Sequence, residues 1–467
     1  MFDLRESPVS SLLFPEIEEL VKTRQFGALR DALSELTPPD VADLLRAMEP
    51  DDRAVAFRVL NKAMAADVFE YLPADEQEEM LRRLGQAEVA AILNEMAPDD
   101  RTALLEELPG AVTQRLITVL SPEERAVAQK LLGYPEESIG RLMTPDYVAI
   151  REDWTVEQVF EHLRRFGRDK ETISILYVVD ANWKLLDDIM LRSFVLAEPQ
   201  TRVSDLMDEQ TVRLLATDDQ ETAIAYFEKY DRSALPVVDS DEILVGIVTF
   251  DDVMDIAKEE VTEDIQKMGA VEALDEPYMS ASLLTLVRKR GVWLSMLFLG
   301  EMFTASAMAY FEHEIERVVF LASFIPLIVS SGGNTGSQAA TLVVRAMALG
   351  EIRLIDWWRV AYRELASGLM LGGWLGLLGI ARIHVWHLAG WKDYTAHYHL
   401  VALSVGVAVC GVVIWGTMIG GLLPFLLRRI GLDPAAISAP FVATLVDVIG
   451  IVTYFTAVTM FLTGTLL

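Results

Sequence analysis

The chain of 467 residues carries 40 Lys and Arg against 70 Asp and Glu, a formal charge of −30, and one cysteine, Cys410. That length predicts several domains. A single cysteine excludes a disulfide framework or a thiolate zinc site, and the acidity excludes a nucleic-acid binder built on a basic surface.

The charge divides the chain. Residues 1–283 hold 60 acidic and 28 basic side chains, whereas residues 284–467 hold 10 and 12 and are largely apolar, with runs long enough to cross a bilayer as helices. The first ten residues, MFDLRESPVS, show no basic region followed by an apolar stretch, so the acidic part is expected to stay in the cytoplasm.

Residues 1–133 are rich in helix formers and repeat themselves. Asp40 to Arg53 aligns with Glu88 to Arg101, a spacing of 48 residues, and both copies end in Pro-Asp-Asp-Arg. Carboxylates after proline suit the first turn of a helix, where the dipole favours them. The spacing predicts a short right-angled array of stacked helical repeats.

Residues 134–254 change texture. Apolar, β-branched runs at 172–179, 234–238 and 244–249 read as strands separated by helices. Arg141-Leu-Met-Thr matches Asp205-Leu-Met-Asp, and Tyr177-Val-Val-Asp180 matches Pro236-Val-Val-Asp239. This repeat resembles a tandem pair of α/β CBS domains, modules that bind ligands and pass on a change of shape. An acidic connecting helix over 255–287 is expected to lead to the membrane.

Five spans are predicted in the last domain, 288–467: near 291–311, 318–344, 360–383, 400–427 and 437–462. Basic residues flank alternate ends: Arg288, Lys289 and Arg290; then Arg345, Arg353 and Arg359; then Arg428 and Arg429. Such clusters mark the cytoplasmic side, which puts the C-terminus outside. The expected architecture is a multidomain membrane protein: a cytosolic α-helical repeat domain, tandem CBS domains, a connecting helix and a five-helix transmembrane domain.

A carboxylate at bilayer depth is costly and marks a functional candidate. Asp447 sits well inside the fifth span with no basic residue within a turn, Glu301 lies mid-span without an evident partner, and Glu364 next to Arg363 reads as an interfacial group. In span two, Pro326 to Gln338 reads as a polar, flexible break, tolerated at this depth where it lines a water-filled path or is buried in protein. Gly332, Gly333 and Gly336 equally permit close helix packing.

These residues resemble the two membrane signatures of the MgtE magnesium channels: Pro326 to Gln338 with Arg345-Ala-Met-Ala-Leu-Gly350, and Leu423-Pro-Phe with Gly431-Leu-Asp-Pro-Ala, Ser438, Pro440, Thr444, Asp447 and Tyr454. The soluble order matches as well. The resemblance implies a homodimer in the cytoplasmic (inner) membrane that imports hydrated Mg²⁺ through a central pore lined by spans two and five. It implies that Asp447 holds the ion, aided by the carbonyl of Ala443, with Gly332, Gly333, Asn334 and Gln338 lining the pore. Ala439 departs from relatives that carry a polar side chain there.

The resemblance further implies that cytosolic Mg²⁺ bridges the acidic domains and closes the pore. The regulatory ligands it points to are Asp67 and Asp99 in the helical array, Glu221 and Asp231 in the second CBS unit, and Asp252, Asp255, Glu260, Glu263 and Asp264 on the connecting helix. Like charges so spaced along a helix repel unless a cation sits between them. Some CBS pairs bind ATP, for which Thr249, Asp251 and Arg192 are the candidates. Ile175 and Arg232 stand where an aromatic ring would stack on adenine, so the ATP reading stays open.

His384, His387, His397 and His399 gather in the loop between spans three and four. Their spacing admits a soft-metal site, but the loop's Tyr and Trp residues favour an interfacial belt. No nucleophile paired with a base is seen in the spans, so the chain is not expected to be an enzyme. Two other readings remain at this point: a carrier that couples metal to protons through Glu301 or Asp447, and a membrane-anchored CBS receptor that transports nothing.

Overall fold

The computed structural model describes residues 8–108, 110–208, 210–274, 278–279, 281–394 and 396–466. They divide into two compact units, one ending at Glu259 and the other beginning at Glu260.

In the first unit, eight successive helices begin at Pro38, Pro50, Lys62, Ala74, Gln86, Pro98, Gly110 and Pro122, one every twelve residues. Proline opens four of them, where a missing N–H costs nothing, and acidic residues fill the first turns at Asp51 and Asp52, Asp99 and Asp100, and Glu123 and Glu124. Leucine, valine and alanine from all these helices share one core.

A side chain repeated every 24 residues locks each helical hairpin. Arg53, Gln77, Arg101 and Arg125 donate to the carbonyls of Leu45, Phe69, Leu93 and Ile117, at 3.0, 2.8, 3.0 and 3.0 Å. Each thereby caps the end of the preceding helix, whose last carbonyls have no partner of their own. Arg53 and Arg101 also reach into the next hairpin, to Glu76 and Glu124. The 48-residue period is therefore two 24-residue hairpins. Alternate hairpins share Pro-Asp-Asp-Arg, and the intervening ones do not.

The Arg101 side chain is fully buried. Its replacement by alanine would strand the carbonyls of Leu93 and Met96 together with Glu124, and is expected to cost about 3 kcal/mol. Urea unfolding of the helical array, followed by circular dichroism, checks this.

The CBS region forms two three-stranded sheets of the same topology. β1 (Ala149–Ile150) runs parallel to β2 (Ile175–Val179), which pairs antiparallel with β3 (Leu185–Met190). β4 (Leu214–Leu215), β5 (Ala234–Val238) and β6 (Leu244–Thr249) repeat this. β2 and β5 are wholly buried, and their side chains meet in a shared core that includes Ile175, Tyr177, Ala234 and Ile247.

Strand β3 contains Asp187 and Asp188, both buried. Asp187 accepts from the N–H groups of Asp188 and Asp208, and Asp188 pairs with Arg232 at 3.2 Å. The acidic helix Phe250–Met268 begins directly after β6.

In the second unit, five helical stretches are long and apolar enough to cross a membrane: Leu283–Tyr310, Val319–Ala348, Leu354–Leu388, Tyr398–Arg429 and Ala439–Leu462. They cover the five spans expected from sequence. Span two enters through a 3-10 turn, Val319–Phe324, and continues as the α-helix Ile325–Ala348.

Pro326 to Gln338 is thus continuous helix and not a break. Its glycines serve close packing: a Cβ on Gly416 or Gly420 of span four would collide with the carbonyl oxygens of Gly332 and Gly336. Approach of this kind between small residues is how apolar helices associate where no hydrophobic force drives them together.

Candidate metal sites

Span five is held against span two at both ends. The hydroxyl of Ser337 donates to the Ala439 carbonyl at 3.0 Å, and that of Tyr454 donates to the Leu321 carbonyl at 2.9 Å. Ser438 caps span five by accepting from the Phe441 N–H. Between these anchors the absence of a side chain at Gly333 makes room: a Cβ there would lie 3.3 Å from the Ala443 Cβ and 3.9 Å from Asp447 Oδ1.

Asp447 and Ala443 therefore face Gly333 on neighbouring turns of span five. Gly332 is buried instead between Val412 and Val446, while Asn334 and Gln338 are exposed on the surface of the helix. Asn334 donates to Ser330 Oγ at 3.4 Å. Glu301 of span one comes within hydrogen-bonding reach of Asp447, a partner that sequence alone did not provide. Glu364 packs on Gly421 and accepts from Ser367.

The first unit gathers a second set of carboxylates where the helical array meets the CBS pair. Asp99 is buried, and its Oδ1 has no hydrogen-bond partner. Burial, then Asp252 and Asp100, push its pKa well above the usual carboxylate range. Glu70 is raised to about 8 by burial and by Asp100 and Asp67. Asp100 is raised to about 6 by burial and by Asp251 and Asp255. Asp252 is raised to about 7, chiefly by burial, against a hydrogen bond from Thr249.

Glu171 is raised for the same reasons. An unpartnered buried oxygen among mutually repelling carboxylates fits a cation.

Sequence reasoning named Asp67, Asp99, Asp252 and Asp255 here but missed Glu70, Asp100 and Glu171. The other candidates lie elsewhere. Glu221 opens the helix Glu221–Tyr230, and Asp231 closes it in a left-handed conformation with φ of 49°. In the second unit Glu263 pairs with Lys267 at 2.9 Å, Lys267 pairs with Asp433 at 2.8 Å, and Asp264 is raised by burial and by Asp433. Glu260 lies on the same helix. Among the described residues no three His, Cys, Asp or Glu side chains converge closely enough to hold one ion directly.

The raised carboxylates fix the sign of the pH dependence. A folded state that holds protons more tightly than the unfolded chain loses stability as pH rises through that window. For Glu70, Asp100 and Asp252 the window runs from the ordinary carboxylate range, about pH 4, to about 8. With chelator present, the melting temperature of the cytosolic part is expected to be higher at pH 6 than at pH 8. Millimolar Mg²⁺ should narrow the difference, which differential scanning calorimetry measures.

Three family descriptions match in chain order: the MgtE intracellular N domain at 36–137, CBS domains at 139–199 and 203–259, and MgtE, divalent cation transporter, at 325–457. The magnesium transporter MgtE of Thermus thermophilus is 42% identical over 329 residues, spanning 70% of this chain and 71% of that one. The chain belongs to the MgtE family. A Bacillus subtilis member is 32% identical over 334 residues, 72% of each chain.

Among solved structures, the cytosolic domain of the Mg²⁺ channel MgtE in complex with ATP matches with a TM-score of 0.51 and 39% identity, covering 52% of this chain and all of that one. The soluble part of a magnesium transporter matches with a TM-score of 0.51 and 28% identity, over 54% of this chain and 99% of that one.

Proposed function

We propose that two copies of this chain form a gated Mg²⁺ channel of the cytoplasmic membrane, with the N-terminus in the cytoplasm and the C-terminus outside. The observation that carries the permeation path is the close approach of Asp447 and Ala443 of span five to Gly333 of span two, which sets a carboxylate where the two spans meet. Mg²⁺ sheds water reluctantly and is commonly held through one or two carboxylates while keeping several waters. A pair of Asp447 carboxylates supplies charge to such an ion without stripping it, and the Ala443 carbonyl can accept from its water shell. Gly333, Asn334 and Gln338 line the path from span two, and Gly332 supports it by letting span four approach.

Closure comes from the cytosolic acids. Asp99, Asp252 and Asp255, with Asp67, Glu70, Asp100 and Glu171, repel one another when ionised, so Mg²⁺ bound among them favours the compact arrangement. Glu260, Glu263 and Asp264, further along the connecting helix, and Glu221 and Asp231 of the second CBS unit are further candidate ligands for regulatory Mg²⁺. An ion that binds only the compact state shifts the population toward closure.

ATP is a second ligand of this reading, supported by the related cytosolic domain solved with it. Asp251 and Arg192 are exposed and open to a nucleotide, whereas Thr249 is engaged by Asp252 and Arg232 by Asp188.

Uptake of Mg²⁺ by liposomes containing the purified chain, followed with an enclosed Mg²⁺ dye, tests the proposal. Uptake above that of empty vesicles is expected. Its absence would favour a membrane-anchored receptor.

A further inference from the structure

The histidines between spans three and four are not an undifferentiated belt. His384, near the end of span three, and His399, at the start of span four, bring their rings together with Nε2 of the first 3.0 Å from Nδ1 of the second. His384 Nδ1 lies 2.9 Å from the Ile380 carbonyl, which can only accept, so that nitrogen carries the proton. A neutral His384 therefore presents a bare Nε2 lone pair to its neighbour.

A backbone carbonyl that fixes the tautomer and orientation of an imidazole is the usual second contact of a metal-ligating histidine. The Tyr398 ring packs against both His384 and His399 and restricts them. His387 stacks on the same Tyr398 ring, and its Nδ1 accepts from the Tyr394 N–H at 3.4 Å.

We propose that His384 Nε2 and His399 Nδ1 form a two-imidazole site for a borderline divalent cation such as Zn²⁺, clasping span three to span four at the membrane face opposite Arg345, Arg353 and Arg359. Two nitrogens on one tetrahedral zinc stand roughly 3.3 Å apart, so the two nitrogens need part by only about 0.3 Å, with both rings turning so that their lone pairs converge on the ion. In the absence of metal, His399 Nδ1–H donates to His384 Nε2. Binding requires His399 to take its other neutral tautomer, with the proton on Nε2, and releases no net proton. Water completes the shell. Imidazole selects against Mg²⁺, which prefers oxygen ligands, so this site is chemically separate from the carboxylate sites.

The test is Zn²⁺ binding to the full chain in nanodiscs, by equilibrium dialysis, with millimolar Mg²⁺ saturating the carboxylates. One Zn²⁺ per chain is expected, weakened about tenfold or more by either His384→Gln or His399→Gln and unchanged by His397→Gln. Failure of the wild type to bind, full binding by both variants, or an equal loss in His397→Gln would overturn the proposal. X-ray absorption on zinc-loaded wild-type chain needs no variant. Two imidazole nitrogens at about 2.0 Å support the site, and a shell of oxygens alone refutes it.

Discussion

Replacing Asp447 by alanine or asparagine is expected to reduce Mg²⁺ uptake into liposomes by at least about tenfold while leaving the fold and assembly intact. A unit charge about 5 Å from a divalent cation, at an effective dielectric of about 20, contributes on the order of 6 kcal/mol before desolvation is subtracted. A quarter of that already changes a rate about tenfold. Asparagine keeps the shape of the side chain and removes only the charge, so it isolates the electrostatic role. Uptake by the asparagine variant within twofold of wild type would remove Asp447 from the path.

The opposite behaviour is expected when Asp252, Asp255 and Asp264 are neutralised together. Conduction should persist, while inhibition by cytosolic Mg²⁺ disappears or moves to concentrations higher by about tenfold or more, the shift set by the lost difference in affinity between the two states. Patch recordings with a Mg²⁺ titration on the cytosolic face read it directly. The same substitutions remove repulsion, so in chelator the variant should melt higher than the wild type. Unchanged inhibition would place the sensor elsewhere.

Much of the fold was legible because it follows from local periodicity. The five spans are long apolar runs, and β5 and β6 are β-branched stretches with clear ends. The 24-residue hairpin was hidden because Gln77 stands where Arg53 and Arg101 stand, and because Lys62, Ala74, Gln86 and Gly110 replace the helix-opening prolines. β3 was missed because two adjacent aspartates argue against a buried strand. The Asp208 N–H donates to Asp187 and Arg232 pairs with one oxygen of Asp188, and both partners are distant in sequence.

Span two shows the converse. Its glycines look like a break when read in one dimension, and only the approach of Gly416 and Gly420 explains them as packing within an unbroken helix.

The candidate sites follow the same division. Asp447 stands out because charge inside an apolar run is rare, and Asp252 and Asp255 stand out by their spacing. Glu70, Asp100 and Glu171 carry no signal of their own, since each becomes unusual only when a carboxylate from a remote segment is folded against it. Asp231 drew notice as an acid, and the structure places it as the left-handed end of a helix.

Excised-patch recording with Mg²⁺ as the sole permeant cation tests the gated pore most directly. Unitary openings are expected, with a probability that falls as Mg²⁺ at the cytosolic face is raised and an amplitude that vanishes in Asp447→Asn. Mg²⁺ uptake without unitary openings, accompanied by proton movement, would contradict a channel and indicate a carrier.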